Sequence, residues 1–218
     1  MGATEPLDRT GDDTRLVRTV IVVGGAGTIG RRLIPALRSN GSRVISAGRT
    51  SGDIHVDLGS HSSIENMYRQ VDGVDEVVCV AAHGALDDFA TLTVEALHDN
   101  MAAKFYGQAD LVLTGQHHCN SGASFTLTSG IFADRPWPGV TGGGVISGAL
   151  HSFVLSAAIE LPRGMRVNVV SPTKVGDSVG DFDDRFADLR PVPMDELVEH
   201  YLGCIYGDDT GRVIRAYG

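Results

Sequence analysis

The chain has 218 residues, of which 42% are hydrophobic, and it carries a formal net charge of −9 at pH 7. This length and apolar content suit one α/β domain with a substantial core. The acidic balance and the lack of a run of Lys or Arg argue against a nucleic-acid partner, because phosphate backbones are bound by clustered cations.

The first 17 residues are polar and acidic, and we expect a leader over 1–17 followed by a single domain over 18–218. The leader lacks the apolar core of a signal peptide, and no apolar stretch approaches the roughly 20 residues that span a bilayer. Three widely spaced cysteines without a CxxC pair, and adjacent histidines without a third ligand nearby, predict neither a disulfide framework nor a metal site. We therefore expect a cytoplasmic protein that binds no membrane and no metal.

Strands alternate with helices along the rest of the chain. The predicted strands cover 18–23, 43–48, 53–58, 75–81, 124–129, 165–171 and 212–217, and the predicted helices cover 28–41, 62–71, 90–116, 144–161 and 194–206. Apolar strands separated by helices indicate right-handed crossovers and a parallel sheet. The predicted fold is α/β, a Rossmann-like doubly wound parallel β-sheet with helices on both faces, which binds ligands at the carboxyl ends of its strands.

The segment GGAGTIG, residues 24–30, follows the first strand and opens the first helix. This placement matches a dinucleotide-binding fingerprint, in which glycines allow a tight turn and the helix N-terminus offers N–H groups to a pyrophosphate. A merely flexible strand-to-helix turn is the alternative. The candidate cofactor residues in this loop are Gly24, Gly25, Ala26, Gly27, Thr28, Ile29 and Gly30.

The second strand ends in SAGRTSGD, where the adenosine ribose of a dinucleotide would lie. Arg49 occupies this position, and the next acidic residue is Asp53. Because an arginine pairs with a 2′-phosphate whereas a carboxylate accepts from a 2′-hydroxyl, the sequence favours NADP(H) over NAD. Asp57, at the end of the third strand, is a candidate contact for the adenine amino group; its alternative role is a helix or turn cap.

Together these segments resemble the short-chain dehydrogenase/reductase family over nearly the whole chain after residue 17. The matching segments are GGAGTIG, HVDL, VDEVVCVAA in place of an Asn-Asn-Ala-Gly motif, SFTLTSG, SGALHSFVLSAAIEL and RVNVVSPT. The resemblance implies further cofactor contacts from Leu58, Ala81, Ala82, Pro172 and Thr173, the last two near the nicotinamide. It also implies a homodimer or homotetramer paired through the two long helices, where Ala149, Ser156 and Ala157 would allow close packing; packing on the sheet is their alternative role.

The chain departs from the family at the catalytic residues. Family members use a Ser and a Tyr to hold and protonate the substrate carbonyl, with a Lys four residues after the Tyr. Aligning SGALHSF places Gly143 at the Tyr position and Ser147 at the Lys position, and no Tyr of this chain stands four residues before a Lys. The family's Ser aligns with Gly130, so Ser129 can replace it only if the loop differs by one residue.

Lys104 aligns with the upstream Asn that supports a water chain in the family. The chain has only two lysines, at 104 and 174, and a desolvated lysine can lose its proton at moderate pH whereas arginine cannot. We expect Lys104 to point into the pocket; a solvated or interface position is the alternative.

The leading hypothesis is an atypical NADP-dependent oxidoreductase that transfers hydride from NADPH to an activated carbonyl, quinone or conjugated enone. Lys104 and Ser129 would stabilise the negative charge, and such acceptors need less protonation because that charge is delocalised. The alternatives are a non-redox cyclase, isomerase or dehydratase, and a non-catalytic NADP-binding sensor or partner protein. Trp137 is a candidate pocket wall for a planar substrate or else a loop anchor, and the glycines at 142–144 enlarge the pocket if the helix starts there.

Overall fold

The computed structural model describes residues 17–81, 87–176 and 186–218, so all of the predicted leader except Val17 lies outside the described residues. The strands are β1 Thr19–Val23, β2 Arg43–Gly48, β3 Ile54–His55, β4 Val74–Cys79, β5 Ser124–Thr128, β6 Arg166–Pro172 and β7 Val213–Ala216. The α-helices are α1 Gly30–Ser39, α2 His61–Arg69, α3 Val94–Met101, α4 Gly107–Gly115, α5 Thr141–Ala157 and α6 Met194–Tyr206. A π-helical turn covers Ala102–Tyr106, and a 3₁₀ turn covers Ile131–Ala133.

The strands form one sheet in the order β3-β2-β1-β4-β5-β6-β7, and every neighbouring pair is parallel. All the carboxyl ends therefore share one edge. The order reverses between β1 and β4, which leaves a crevice at that edge where ligands bind in such folds. The predicted Rossmann-like doubly wound sheet is confirmed.

Alternate residues of β1 face two different cores. Ile21 and Val23 pack with apolar residues of α2, α4 and α5, whereas Val20 and Val22 pack with those of α1 and α6. A strand that is buried on both faces reads as a continuous apolar run, which is why VIVV is a reliable strand signal. The prediction of helices on both faces is confirmed.

Two predicted elements have different bounds. The third strand is reduced to Ile54–His55. Before it, the Asp53 carboxylate accepts hydrogen bonds from the backbone N–H and hydroxyl of Ser46, each at 2.8 Å, and after it the Asp57 N–H donates to Oγ of Ser63 at 2.9 Å. The long helical stretch predicted over 90–116 is present, with different ends and with a π-helical turn in its middle. It begins only after Thr93, whose hydroxyl accepts from the Ala96 N–H at 3.1 Å, and the π-helical turn separates α3 from α4.

Helix α5 begins at Thr141, three residues before the predicted start. The carboxylate of Asp87 accepts the N–H groups of Thr141 and Gly142 at 2.9 and 2.7 Å and so satisfies donors that a helix start leaves free. The glycines at 142–144 therefore lie in the first turn of α5, the condition under which they enlarge the pocket.

Candidate functional site

The loop after β1 folds back tightly under α1. Gly24 has a φ of +87°, and a Cβ at this position would lie 2.6 Å from the backbone nitrogen of Ala81. A Cβ at Gly30 would lie 2.5 Å from the carbonyl oxygen of Gly25. Only glycine allows these approaches. The start of α1 has no side-chain cap and no acidic residue in its first turn, so no negative side chain there opposes an anion at the positive end of the helix dipole.

One cavity of about 530 Å³ opens above this loop at the carboxyl edge of the sheet. It extends from the ends of β1 and β2 across the ends of β4, β5 and β6 to α5. Its walls include the predicted residues Gly24, Ala26, Gly27, Thr28, Ile29, Arg49, Ala81, Lys104, Ser129, Pro172 and Thr173. The structure therefore brings most of the predicted cofactor residues and both predicted catalytic residues to one place.

The other predicted cofactor residues do not line this cavity. Gly25 shapes the turn, since a Cβ there would lie 2.8 Å from the side chain of Ile34. Asp57 accepts the Gly59 N–H at 3.0 Å, the turn-capping role, and Leu58 packs against Gly107 at the start of α4. Gly30 supports the turn, as described above, and Ala82 lies outside the described residues. Cofactor contacts from these residues stay predictions.

Arg49 lies at the end of β2 and lines the cavity beside Thr50 and Ser51. The Asp53 carboxylate accepts a hydrogen bond from the backbone N–H of Ser46, which holds the pKa of that carboxyl below its usual value. Among the described lining residues there is no carboxylate, and within the described part of the chain Arg49 has no ion pair. Arg49 therefore places a cation at this end of the cavity.

Lys104 enters the cavity from the π-helical turn, a feature that often accompanies functional sites. Burial lowers the pKa of its ammonium to about 8, and no described residue forms an ion pair with it. Gln108, which is almost fully buried, donates to the carbonyl oxygens of Lys104 and Thr128 at 3.0 and 2.9 Å and accepts the Thr128 N–H at 2.8 Å. Sequence reasoning missed this amide, which ties the turn to the end of β5 beside Ser129.

Ser129 also has a partner that sequence reasoning missed. Its Oγ lies 2.9 Å from Nε2 of His151 on α5. His151 is 8% exposed, and burial lowers its pKa, an effect opposed by Asp134 and reinforced by Arg215. The signal was its spacing: His151 stands one helical turn after Ser147, on the same face of α5.

The positions aligned with the family's Tyr and Lys lie beside an aromatic wall. Ser147 lines the cavity, and so does Phe132, whose ring lies 3.7 Å from where a Cβ at Gly143 would be. Trp137 is not a lining residue. Its ring lies behind that of Phe186, with centroids 6.2 Å apart, so the structure favours the role of loop anchor.

The described residues were searched for a metal-binding cluster and for a membrane-spanning helix. In 17–81, 87–176 and 186–218, no three His, Cys, Asp or Glu side chains are arranged to hold a metal ion. Over the same ranges, no helix is both long enough and apolar enough to cross a bilayer.

Comparison with known proteins identifies the family. The sequence profile of the family described as Enoyl-(Acyl carrier protein) reductase matches residues 28–194. L-xylulose reductase of Homo sapiens is 30% identical over 215 residues, covering 86% of this chain and 87% of that protein. Carbonyl reductase (NADPH) 2 of Sus scrofa is 28% identical over 178 residues, covering 73% of this chain and 72% of that protein.

The fold agrees with this relationship. The crystal structure of the protein lin1944 from Listeria innocua matches with a TM-score of 0.89 and 34% sequence identity, over 92% of this chain and 100% of that one. The family profile, these relatives and the glycine loop at the carboxyl edge of a parallel sheet agree, and the chain therefore belongs to the short-chain dehydrogenase/reductase family of oxidoreductases.

Proposed function

We propose that the protein is an NADP(H)-dependent reductase of atypical mechanism that acts on an activated carbonyl, a quinone or a conjugated enone. One observation carries this proposal: a single cavity is lined by the glycine loop and Arg49 at one end and by Lys104, Ser129 and Ser147 at the other. The names of the two mammalian relatives, a xylulose reductase and an NADPH carbonyl reductase, support the same reaction class.

The residues of the cavity fit NADP(H). The close turn at Gly24 and the uncapped start of α1 suit a pyrophosphate. Arg49, which forms no ion pair with a described residue, suits a 2′-phosphate. The buried hydroxyl of Thr173 lines the cavity and has no hydrogen-bond partner among the described residues, so it is free for the nicotinamide end. Lys174 adds a further cation to this wall.

The bound cofactor supplies the hydride, and the chain supplies orientation and charge stabilisation. Lys104 and Ser129 stabilise the negative charge that develops on the acceptor oxygen. A positioned general acid contributes about 10²- to 10⁴-fold, or roughly 3–5.5 kcal/mol, whereas orientation of the reactants contributes about 7–11 kcal/mol. A site without the Tyr therefore retains most of its rate advantage, and an electron-poor acceptor reduces the deficit further.

The apolar wall supports a planar acceptor. Phe132 and Phe186 both line the cavity, with ring centroids 5.5 Å apart. The Gly143 position adds no side chain beside Phe132, which leaves room that a Tyr would fill. A flat quinone or enone can pack against these rings and present its oxygen to Lys104 and Ser129.

The cofactor assignment predicts a selective effect of Arg49→Met. The affinity for NADPH should fall about 10- to 100-fold because a charge-assisted contact to the 2′-phosphate is lost, while the affinity for NADH should stay unchanged. Calorimetric titration with both nucleotides measures this. The control is Arg69→Met, which removes an exposed arginine of α2 that pairs with Glu65. Equal affinities of the unaltered protein for NADPH and NADH would contradict the assignment.

The alternative functions give different results in a turnover assay. A reductase oxidises NADPH only when an acceptor is present. A cyclase, isomerase or dehydratase converts its substrate without a net change in NADPH, and a sensor binds NADPH without converting any substrate.

We also propose that two copies of the chain pair through α3, α4 and α5. Large apolar side chains exposed to solvent concentrate there, and such patches mark interaction surfaces. Within the described residues they are Phe89, Val94, Tyr106, Leu113, Val145, Leu155 and Ile159. Two of the small residues expected to allow close packing between the copies differ in exposure. Ser156 is exposed to solvent, whereas Ala157 packs against the core.

This surface predicts a homodimer or homotetramer that Leu155→Asp weakens. A charge in the centre of an apolar interface should raise the dissociation constant by about 10-fold or more. Sedimentation equilibrium measures it. Val17→Asp places the same charge on an exposed valine outside this surface and should leave the assembly unchanged. A monomeric unaltered protein at micromolar concentration would rule out the interface.

A further inference from the structure

A hydrogen bond connects the cavity to a buried imidazole. Ser129, just after β5, lines the cavity, and its Oγ lies 2.9 Å from Nε2 of His151. His151 itself is not among the lining residues and is 8% exposed. Ser129 is therefore the group through which this imidazole can act on a molecule in the cavity.

We propose that His151 is a positioning residue that holds the Ser129 hydroxyl and exchanges a proton with it during turnover, the part for which this chain has no suitably placed Tyr. This inference rests on the proposed reductase function. It assigns the proton donor that the function requires, with Ser129 as the catalytic residue in contact with the acceptor.

The proton steps balance in both directions. In reduction, the acceptor carbon gains the hydride supplied by NADPH, and the C=O electron pair moves to oxygen. That oxygen takes the proton of the Ser129 hydroxyl, and Oγ takes the Nε2 proton of the His151 imidazolium. Neutral His151 then recovers a proton from water. In alcohol oxidation the same steps run backwards, with neutral His151 as the proton acceptor.

The groups around His151 set the pH at which this exchange operates. Burial lowers its pKa below the usual value of about 6.5, Asp134 after the 3₁₀ turn raises it, and Arg215 of β7 lowers it. Tyr217 binds Asp134 in turn, and the π-helical turn that packs against α5 contributes Lys104 to the same cavity. Reduction needs imidazolium, so its kcat should fall as pH rises through this lowered pKa, whereas oxidation should gain.

The experiment measures kcat and KM against pH for NADPH-dependent reduction by unaltered protein and by His151→Gln. Glutamine keeps a hydrogen bond to Ser129 but cannot titrate in this range. In His151→Gln we expect kcat at pH 6 to fall about 10²-fold, and KM and NADPH affinity to be retained. The rise in kcat as the pH falls below 6.5, which we call the low-pH limb, should disappear. The control is His200→Gln on α6, a helix outside the proposed dimer surface, where the imidazole lies beside Glu196; this variant should change nothing.

Two further measurements keep the test independent of activity and of the folding of one variant. Ser129→Ala removes only a hydroxyl and should lose the same low-pH limb. In cofactor-free protein, ¹⁵N NMR of the imidazoles should show the His151 resonance shifted by Ser129→Ala and the His200 resonance unshifted.

Retention of the low-pH limb in His151→Gln, or an unshifted His151 resonance in Ser129→Ala, would overturn the inference. In both cases NADPH oxidation by the unaltered protein would still stand, so the proposed function survives. If the unaltered protein oxidises no NADPH in the presence of a quinone or an enone, both the function and the role of His151 fail together.

Discussion

Replacing Lys104 with Met should lower the kcat of NADPH-dependent reduction by about 10²- to 10⁴-fold and leave NADPH affinity nearly unchanged. Lys104 lines the acceptor end of the cavity and forms no ion pair with a described residue, so its charge is available to the developing oxyanion. Met preserves the length and apolar stem of the side chain and removes only the cation. Stopped-flow measurement of NADPH oxidation, with calorimetry for affinity, checks both parts.

The pH profile separates this role from simple packing. Because burial lowers the pKa of Lys104 to about 8, the ammonium is present below that pH, and kcat should fall as pH rises through it. Lys104→Arg keeps a cation above pH 8 and should remove this limb. Arg69→Met, which removes a cation from α2 far along the sequence, is the control. An unchanged kcat in Lys104→Met would exclude the residue from the mechanism.

Replacing Gly24 with Ala should lower the free energy of unfolding by about 2–5 kcal/mol and abolish measurable NADPH binding. Two costs add: about 1–2 kcal/mol for the positive φ of 87°, and about 1–3 kcal/mol for a methyl group 2.6 Å from the Ala81 backbone. To relieve that contact, the glycine loop after β1 must move away from Ala81, which disturbs the place where the pyrophosphate would bind.

Gly41→Ala is the matched control for this variant. Gly41 has a similar φ of +81°, but an added Cβ meets nothing within 4 Å. It should therefore show only the conformational cost and retain full NADPH affinity. Urea unfolding and calorimetric titration measure the two variants side by side. Equal losses in both would mean that the close approach of the loop to β4 contributes nothing.

The fold could be predicted because its signals are local. The first strand is a short, mostly apolar run buried on both faces, and the glycine loop stands between this strand and a helix. Position along the chain then places the loop, Arg49 and Ser129 at strand ends, and parallel pairing brings strand ends to one edge. This is why most of the predicted cofactor residues, and both predicted catalytic residues, line the cavity.

The features that could not be predicted depend on contacts between distant segments. Gln108 reaches Thr128, twenty residues away, and Asp87 caps α5 across fifty-four residues. The partner of Ser129 is His151, twenty-two residues along the chain. The π-helical turn over Ala102–Tyr106 is not marked in the sequence by any spacing of apolar residues. Each is set by packing of one element on another, which a single sequence shows only through spacing on a helix face.

Hydride transfer can be followed with NADPH that carries deuterium at both hydrogen positions of the nicotinamide C4 and with a conjugated enone as the acceptor, under anaerobic conditions. One NADPH should be oxidised for each acceptor molecule reduced, and the product should carry deuterium bound to carbon. A converted substrate with no NADPH oxidised and no deuterium in the product would contradict the account and indicate non-redox catalysis on this fold.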